Sequence, residues 1–582
     1  MMFVLKGIIA IWPLLGVLCL ASPLTSDTSS RHLCRTLPGD ADWPSIRDWS
    51  QLNKTIGGRL IATSPRASVC HNPTFNEEAC ADLEDTWHSS AAHVYWPAEV
   101  IDPLFQGNSC IPFTPRDIPC TTGILASYSI NISSIGDIQA GLEFARSKNV
   151  RLVIKNTGHD LLGKSTGKGS LALWTHNMNE VKFIDSYQGD SSYTGSAVRL
   201  GAGVIFKDVL PLAQQKGLRL LAGSCATVGA TGGYTAGGGH GGLTSQYGMA
   251  ADSVLEWEVV TAEGEHLTAT PKRNADLYWA LSGGGAGTFA VVVSMTTRTY
   301  QDGPLNWASF QMSANDPAFN GSVDAFWSAV DTFQSHLGPL ADQGTVATYD
   351  LSETDLTVFS MTMPGGDLST VTSTLAPLTS ALEKQGVALN LTMRSFDSFW
   401  SLHSTVFGAA EAATHSGQAS GGRLVPRSVV EDASGVTTLG KSFRAAIQDG
   451  FQVSCTGLNA TLKAQPSHPN SVHPLWRSTL LTCLVFKFWD YSVEWDANLE
   501  TQAKLTNVAM PRIIAASPGG GAYLNEANFE EPNWQSSFYG SNYPRLKSIK
   551  NKYDPQGLFY ARTAVGSEAW AEDGSHRLCQ VP

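Results

Sequence analysis

Between Gly158 and Ser165 the chain reads GHDLLGKS, which meets every defined position of the phosphate-loop pattern G-x-x-x-x-G-K-[ST]. The chemistry of such a loop is nucleotide binding: backbone amides, a lysine and a helix N-terminus all face a phosphate. The overlapping residues Gly163 to Gly167 also spell G-x-S-x-G, where a serine nucleophile would stand on a sharp strand-to-helix turn. Both chemistries need a strand before the loop and a helix after it. The run RLVIKN (151–156) supplies the strand, but STGKGSLALWT returns to apolar and aromatic residues suited to another strand. Neither geometry is completed, and Lys164 is left without a phosphate-binding role.

A second stretch carries more chemistry. Nine glycines lie between Gly223 and Gly242 in GSCATVGATGGYTAGGGHGG, with Val228 and Tyr234 among them and the β-run SVLEWEVVTA soon after. Glycine at that density lets backbone approach a ligand closely and lets its N–H groups cradle a pyrophosphate. A third cluster, SGGGAG in 282–287, precedes the β-run FAVVVSMTTR without a Rossmann-type strand before it or helix after it. Three glycine clusters in one part of the chain point to an extended ligand wrapped by several loops. No C-x-x-C or H-E-x-x-H is present, and His468 and His473 lack a third ligand, so no metal site is expected.

The elements that must hold these residues are legible in outline. ILASYSINI, then SIGDIQAGLEFARSKN, then RLVIKN reads as strand, helix, strand, with Ile138, Leu142 and Ala145 on one helical face. Residues 27–117 are loop-rich, with many Pro and Cys and no long period. From about 305 to 515 helical patterns such as VDAFWSAVDTFQSHLG alternate with strand-like runs such as STLLTCLVFKFW. That texture suggests an antiparallel sheet covered by helices. PRLKSIKNKY near the end is helix-like and DPQG is a turn.

Composition bounds the setting. Residues 1–22 have the layout of a secretory signal peptide, with one lysine before an apolar stretch from Gly7 to Leu20. Sequons at Asn53, Asn131, Asn320, Asn390 and Asn459 fit a secreted, N-glycosylated protein. A net charge of −12 argues against a nucleic-acid partner, and no other segment approaches a membrane span. A monomer is expected. Nine cysteines follow the signal peptide, an odd number that leaves one sulfur to be explained.

With these motifs in view, the sequence resembles the berberine-bridge-enzyme-like FAD-linked oxidases of the vanillyl-alcohol oxidase superfamily, in their secreted fungal form. The resemblance rests on KNTGHDLLGKSTG and on G-x-C-x-T-V-G from Gly223. It rests also on the C-terminal N-W-x-x-x-F-Y-G-x-N-Y-x-R-L-x-x-I-K-x-x-Y-D-P-x-G-L-F (533–559) and, more loosely, on GGRLVPR (421–427) and NSVHPLWR (470–477). It implies an α+β fold of two lobes: a disulfide-rich segment 23–117, a PCMH-type FAD-binding domain 118–302, a substrate domain 303–520, and a segment 521–582 returning to the FAD domain.

The resemblance further implies that His159 is bonded to the flavin 8α-methyl carbon and Cys225 to flavin C6, although Ala226 stands where the family often has proline. Gly158, Asp160, Gly223, Thr227, Val228, Gly229, Gly232, Gly233, Gly238, Gly239 and His240 would line the cofactor. The run Tyr247 to Asp252 would flank its ribityl and pyrophosphate parts. Tyr523, Asn525 and Glu526 in GAYLNEAN are the implied catalytic residues, with Glu526 where many relatives have tyrosine. The activity implied is oxidation of an alcohol, sugar or secondary metabolite, with O2 as acceptor and H2O2 as product. Alternatives are a dehydrogenase, an oxidative cyclase, or a flavin-binding protein without turnover. Setting Cys225 aside leaves eight cysteines. Short loops favour Cys70–Cys80 and Cys110–Cys120, with Cys455–Cys483 and Cys34–Cys579 as the remaining pairs, although spacing alone leaves the connectivity open.

Overall fold

The computed structural model describes residues 34–408, 417–461 and 468–582; the expected signal peptide at 1–22 lies outside them. Three sheets carry the architecture, and the fold is α+β. The first has four strands in the order Leu60–Ala62, Tyr128–Asn131, Leu171–Trp174, Leu152–Lys155, and the last three run parallel. The helix between the second and fourth, Ile135–Ser147, starts at a reciprocal Ser134–Asp137 cap and buries Ile138, Leu142 and Ala145, the predicted face. Since Leu171–Trp174 inserts between its two predecessors, the loop 156–170 must turn back over the carboxyl ends of parallel strands. That is where open α/β sheets place ligands.

The second sheet is antiparallel, in the order Val181–Ile184, Ala197–Gly201, Val291–Arg298, Val254–Val260, His266–Ala269. Trp257, Leu277 and Phe289 are fully or almost fully buried beneath it, and Tyr539 and Leu546 from the C-terminal helices Trp534–Tyr539 and Tyr543–Tyr553 join the same core. Lys550 fixes that junction. Its buried ammonium donates to the Thr288 and Phe559 carbonyls, both at 2.7 Å, and pairs with Asp554 at 2.6 Å. Burying such a charge is tolerable because each proton finds an acceptor.

The third sheet has seven antiparallel strands, from Thr392–Phe396 at one edge through Leu305–Ser313, Asp355–Pro364, Val346–Leu351, Gln452–Gly457 and Thr479–Phe488 to Gln418–Pro426. Helices Val323–Ser335, Leu368–Glu383 and Ala433–Gln448 bury Phe326, Leu375 and Phe443 against it.

One expectation needs correcting. The segment 27–117 is not only loop: it holds two ten-residue helices, Ile46–Thr55 and Glu77–Thr86. Each has a polar N-cap, Ser45 or Asn76, yet buries only two side chains: Trp49 and Leu52, or Cys80 and Leu83. An apolar stripe that narrow gives no readable period. The disulfides are Cys34–Cys579, Cys70–Cys80, Cys110–Cys120 and Cys455–Cys483, and Cys225 is in none of them.

Candidate functional site

The strand Leu152–Lys155 delivers the chain to a cavity of about 460 Å3, a size suited to a cofactor with substrate. The loop after it forms one wall. Gly158 adopts φ +83°, and a Cβ there would lie 2.7 Å from the Glu99 carbonyl, so only glycine fits. The next residue, His159, faces the cavity with Nε2 2.8 Å from the Thr227 hydroxyl and 3.9 Å from the Cys225 sulfur. Burial, with the charges of Lys155 and His93, pushes its pKa down to about 4, so the imidazole is neutral at physiological pH. In the tautomer that donates Nε2–H to Thr227, the ring's lone pair lies on Nδ1, where a neutral nucleophile would carry it.

Asp160 explains why GHDLLGKS is no phosphate loop. Its carboxylate accepts the N–H groups of Leu162 at 3.0 Å and Ser165 at 2.7 Å and the Ser165 hydroxyl at 2.9 Å. Amides that a phosphate would need are already bonded to an internal anion. Lys164 turns the other way into the cavity wall and donates to the Leu524 carbonyl at 3.1 Å, and burial pushes its pKa down to about 8. The sequence pattern gave no hint of that position.

The second wall comes from the glycine stretch: Gly223, Cys225, Val228, Gly229, Gly232 and Gly233. A Cβ on Gly229 would lie 2.2 Å from Asn156 Nδ2, whereas one on Gly233 would meet nothing within 4 Å and project into open space. Asn156 Nδ2 donates to the Ala202 carbonyl at 2.8 Å, and its Oδ1, buried in the cavity wall, has no partner among the described residues. An orphaned acceptor in such a wall is a place for a ligand donor.

The third wall is the turn 523–526, which follows the Leu424–Gly521 bridge at the end of the large sheet. The Tyr523 hydroxyl accepts the Gly239 N–H at 3.2 Å and the Asn525 amide at 2.8 Å, and Asn525 also donates to the Gly233 carbonyl at 2.8 Å. Burial raises the Tyr523 pKa, so the ring is a neutral phenol tying the turn to the glycine loop. Glu526 Oε2 lies 3.3 Å from His240 Nε2, and the carboxylate keeps 41% of its surface exposed. The His240 ring packs against Trp476 and Tyr523, at 5.5 and 5.3 Å between centroids, and its Nδ1 is buried without a partner among the described residues.

Of the expected cofactor residues, Thr227 reaches the cavity through His159, while Gly238 and Gly239 lie behind Tyr523 rather than in the wall. The run Tyr247 to Asp252 does not flank the cavity. Tyr247 stacks on Tyr300 at 3.9 Å, and Asp252 is held by both terminal nitrogens of Arg477, at 2.7 and 2.8 Å. Those residues brace the lobe because their side chains are already spent on Tyr300 and Arg477. Sequence reading missed Ile101 and Gln418, since a single apolar or amide side chain outside a motif gives no signal, and it gave Asn156 no role although it stands in KNTGHDLLGKSTG.

Comparison with known proteins bears on this arrangement. Residues 126–270 match the model of an FAD binding domain, and residues 522–566 match that of berberine and berberine-like proteins. The chain is 45% identical over 573 residues to a VAO-type flavoprotein oxidase of Thermothelomyces thermophilus, covering 96% of this chain and 97% of that one. It is 43% identical to a bifunctional decalin synthase of Penicillium decumbens, covering 98% and 99%. A solved VAO-type flavoprotein of Myceliophthora thermophila C1 superposes with a TM-score of 0.90 at 43% identity, over 94% of this chain and all of that one. A glucooligosaccharide oxidase of Acremonium strictum, described as carrying a 6-S-cysteinyl, 8α-N1-histidyl FAD, shares the fold at 18% identity and a TM-score of 0.63, over 76% and 92%. The cavity fits FAD: two walls lack side chains where glycines stand, and an unpaired acceptor waits in one of them.

Proposed function

The chain belongs to the berberine-bridge-like, VAO-type FAD-linked oxidoreductases, and from that premise we propose that it is a secreted oxidase of small alcohols with flavin tethered at two points. The observation that carries this reading is a single cavity with His159 and Cys225 on one side and the Glu526–His240 pair on the other. Asn156, Lys164 and the glycines of 223–233 would hold the cofactor, with His159 Nδ1 and Cys225 Sγ as its covalent partners. What FAD supplies when bound is a two-electron acceptor for hydride, re-oxidised by O2 to give H2O2.

The chain's own groups handle the proton. Glu526 Oε2 accepts it from the substrate hydroxyl, and His240 Nε2 beside it donates a hydrogen bond that orients the carboxylate. Tyr523 and Asn525 hold the turn in register with the glycine loop instead of acting as bases, because the phenol is raised and its oxygen already accepts two hydrogen bonds. Val228, a small residue on the wall beside Cys225, leaves space there for oxygen. Four disulfides support passage through an oxidising compartment, and no described helix is long and apolar enough to cross a membrane.

The similarity to a named decalin synthase favours a second reading, oxidative cyclisation of a secondary metabolite. One experiment separates the two. A panel of alcohols, oligosaccharides and polyketide alcohols is mixed anaerobically with the holoenzyme, and flavin bleaching, peroxide release on aeration and product mass are recorded. Bleaching with a carbonyl product and stoichiometric peroxide supports the oxidase. A ring-closed product supports the cyclase, and a flavin that no donor bleaches defeats both.

A further inference from the structure

Behind the His159 loop lies a group of buried charges that the chemistry above does not use. Lys155 is fully buried, and its ammonium donates to the carbonyls of Trp96 at 2.6 Å and of Asn156 and Thr157, both at 3.5 Å. The first acceptor belongs to the disulfide-pinned N-terminal segment, and the other two lead directly into Gly158 and His159. Glu99 supplies the opposite charge near Lys155. Its carboxylate is held by His93 Nδ1 at 3.1 Å and approached by Arg66 at 3.5 Å, while His93 Nε2 bonds the Trp87 carbonyl at 2.8 Å. Two residues further on, the Ile101 N–H donates to the Gly158 carbonyl at 3.0 Å. Three consecutive carbonyls on the N-terminal side of His159 are therefore held, those of Asn156 and Thr157 by Lys155 and that of Gly158 by Ile101, while Trp96 anchors the same ammonium to the N-terminal segment.

Packing alone does not call for a cation here. An apolar side chain of similar length would avoid the desolvation that a buried ammonium suffers. What the ammonium adds is directional: it draws carbonyls of two segments to one point. Burial draws the Lys155 pKa down to about 7 and is also the first cause of the lowered His159 pKa, with the Lys155 charge a second one.

We propose that Lys155, backed by Glu99, His93 and Arg66, is a positioning residue that sets the backbone of His159 for attachment of the flavin. The proposal rests on the reading of His159 as the attachment point. In attachment, one imidazole N–H and one methyl C–H of the cofactor are replaced by a C–N bond, and the two hydrogens leave with O2 as H2O2.

The two tethers allow a test without turnover. Lys155→Met is placed in Cys225→Ala, where only His159 can hold flavin, and in His159→Ala, where only Cys225 can. The fraction of flavin retained by acid-denatured holoenzyme is then measured, with mass analysis of the flavin-bearing peptide. Lys155→Met is expected to cut retained flavin tenfold or more in the Cys225→Ala background and to leave it within twofold in the His159→Ala background. Glu99→Gln, a milder change, should follow the same pattern with a smaller loss. Equal loss in both backgrounds would make Lys155 a general support of the fold and overturn the proposal, as would no loss in either. If Cys225→Ala alone releases all flavin, the attachment reading itself falls, and the proposal with it.

Discussion

At the scale of single residues, the proposed function divides the site into groups that would tether flavin and groups that would move a proton. His159→Ala and Cys225→Ala should each leave flavin bound to denatured protein through the other residue, and the double change should release it; free FAD from acid-precipitated wild type would defeat this. Glu526→Gln should slow flavin reduction by substrate about 10²-fold, within the range for losing a general base. His240→Asn should cost less, because it disturbs the carboxylate's partner and not the base itself. Tyr523→Phe behaves differently. It leaves the Gly239 N–H and one Asn525 N–H without their acceptor, which should cost roughly 1–3 kcal/mol of stability and change reduction rates far less than Glu526→Gln. Stopped-flow reduction and denaturant titration together read these outcomes, and a rate loss in Tyr523→Phe equal to that in Glu526→Gln would return the base to the phenol.

At the scale of elements, the loop 158–165 shows what a pattern can and cannot tell. Its phosphate-loop match was rejected in the sequence for want of a following helix, and the structure adds a reason that no pattern holds: the Asp160 carboxylate fills the loop from within. Asp160→Ala should therefore destabilise the loop by about 1–3 kcal/mol through its stranded amides, and calorimetric titration of wild type with ATP should give no heat. The strand–helix–strand unit, the helical face of Ile138, Leu142 and Ala145, and the helix-covered antiparallel sheet between 305 and 515 were legible because their periods are long and their apolar faces wide. The helices of the N-terminal segment were not, because each buries two side chains only. Within the site, His159, Cys225 and Glu526 were legible through motifs. Lys164 was not, because a side chain's direction out of an irregular loop depends on bonds such as its contact with Leu524, 360 residues away.

At the scale of the whole molecule, closure and charge set the stability. Cys34–Cys579 closes the longest covalent loop, with a sequence separation of 545. Replacing Cys579 by serine should lower unfolding stability by about 2–5 kcal/mol, read as a fall in Tm, and an unchanged Tm would show the bridge to be idle. Acid should also act through the histidines. His176 is pushed down to about 4 by burial and by Lys155, below its ordinary 6.5. The unfolded chain thus binds this proton first as pH falls, and stability from His176 is lost between about pH 6.5 and 4. The drop in Tm from pH 7 to 4.5 should be smaller in His176→Gln than in wild type, and an equal or larger drop would refute the assignment. A last consequence concerns the order in which the molecule is made. The cavity wall runs from Ile101 to Ala561 and includes the turn 523–526. A ribosome must therefore pass Ala561 before the chamber has all its walls, and a message cut short before that codon would yield His159 and Cys225 with no complete pocket around them. Loading of flavin would then follow synthesis of nearly the whole chain, and a bound chromophore would report that translation had passed Ala561.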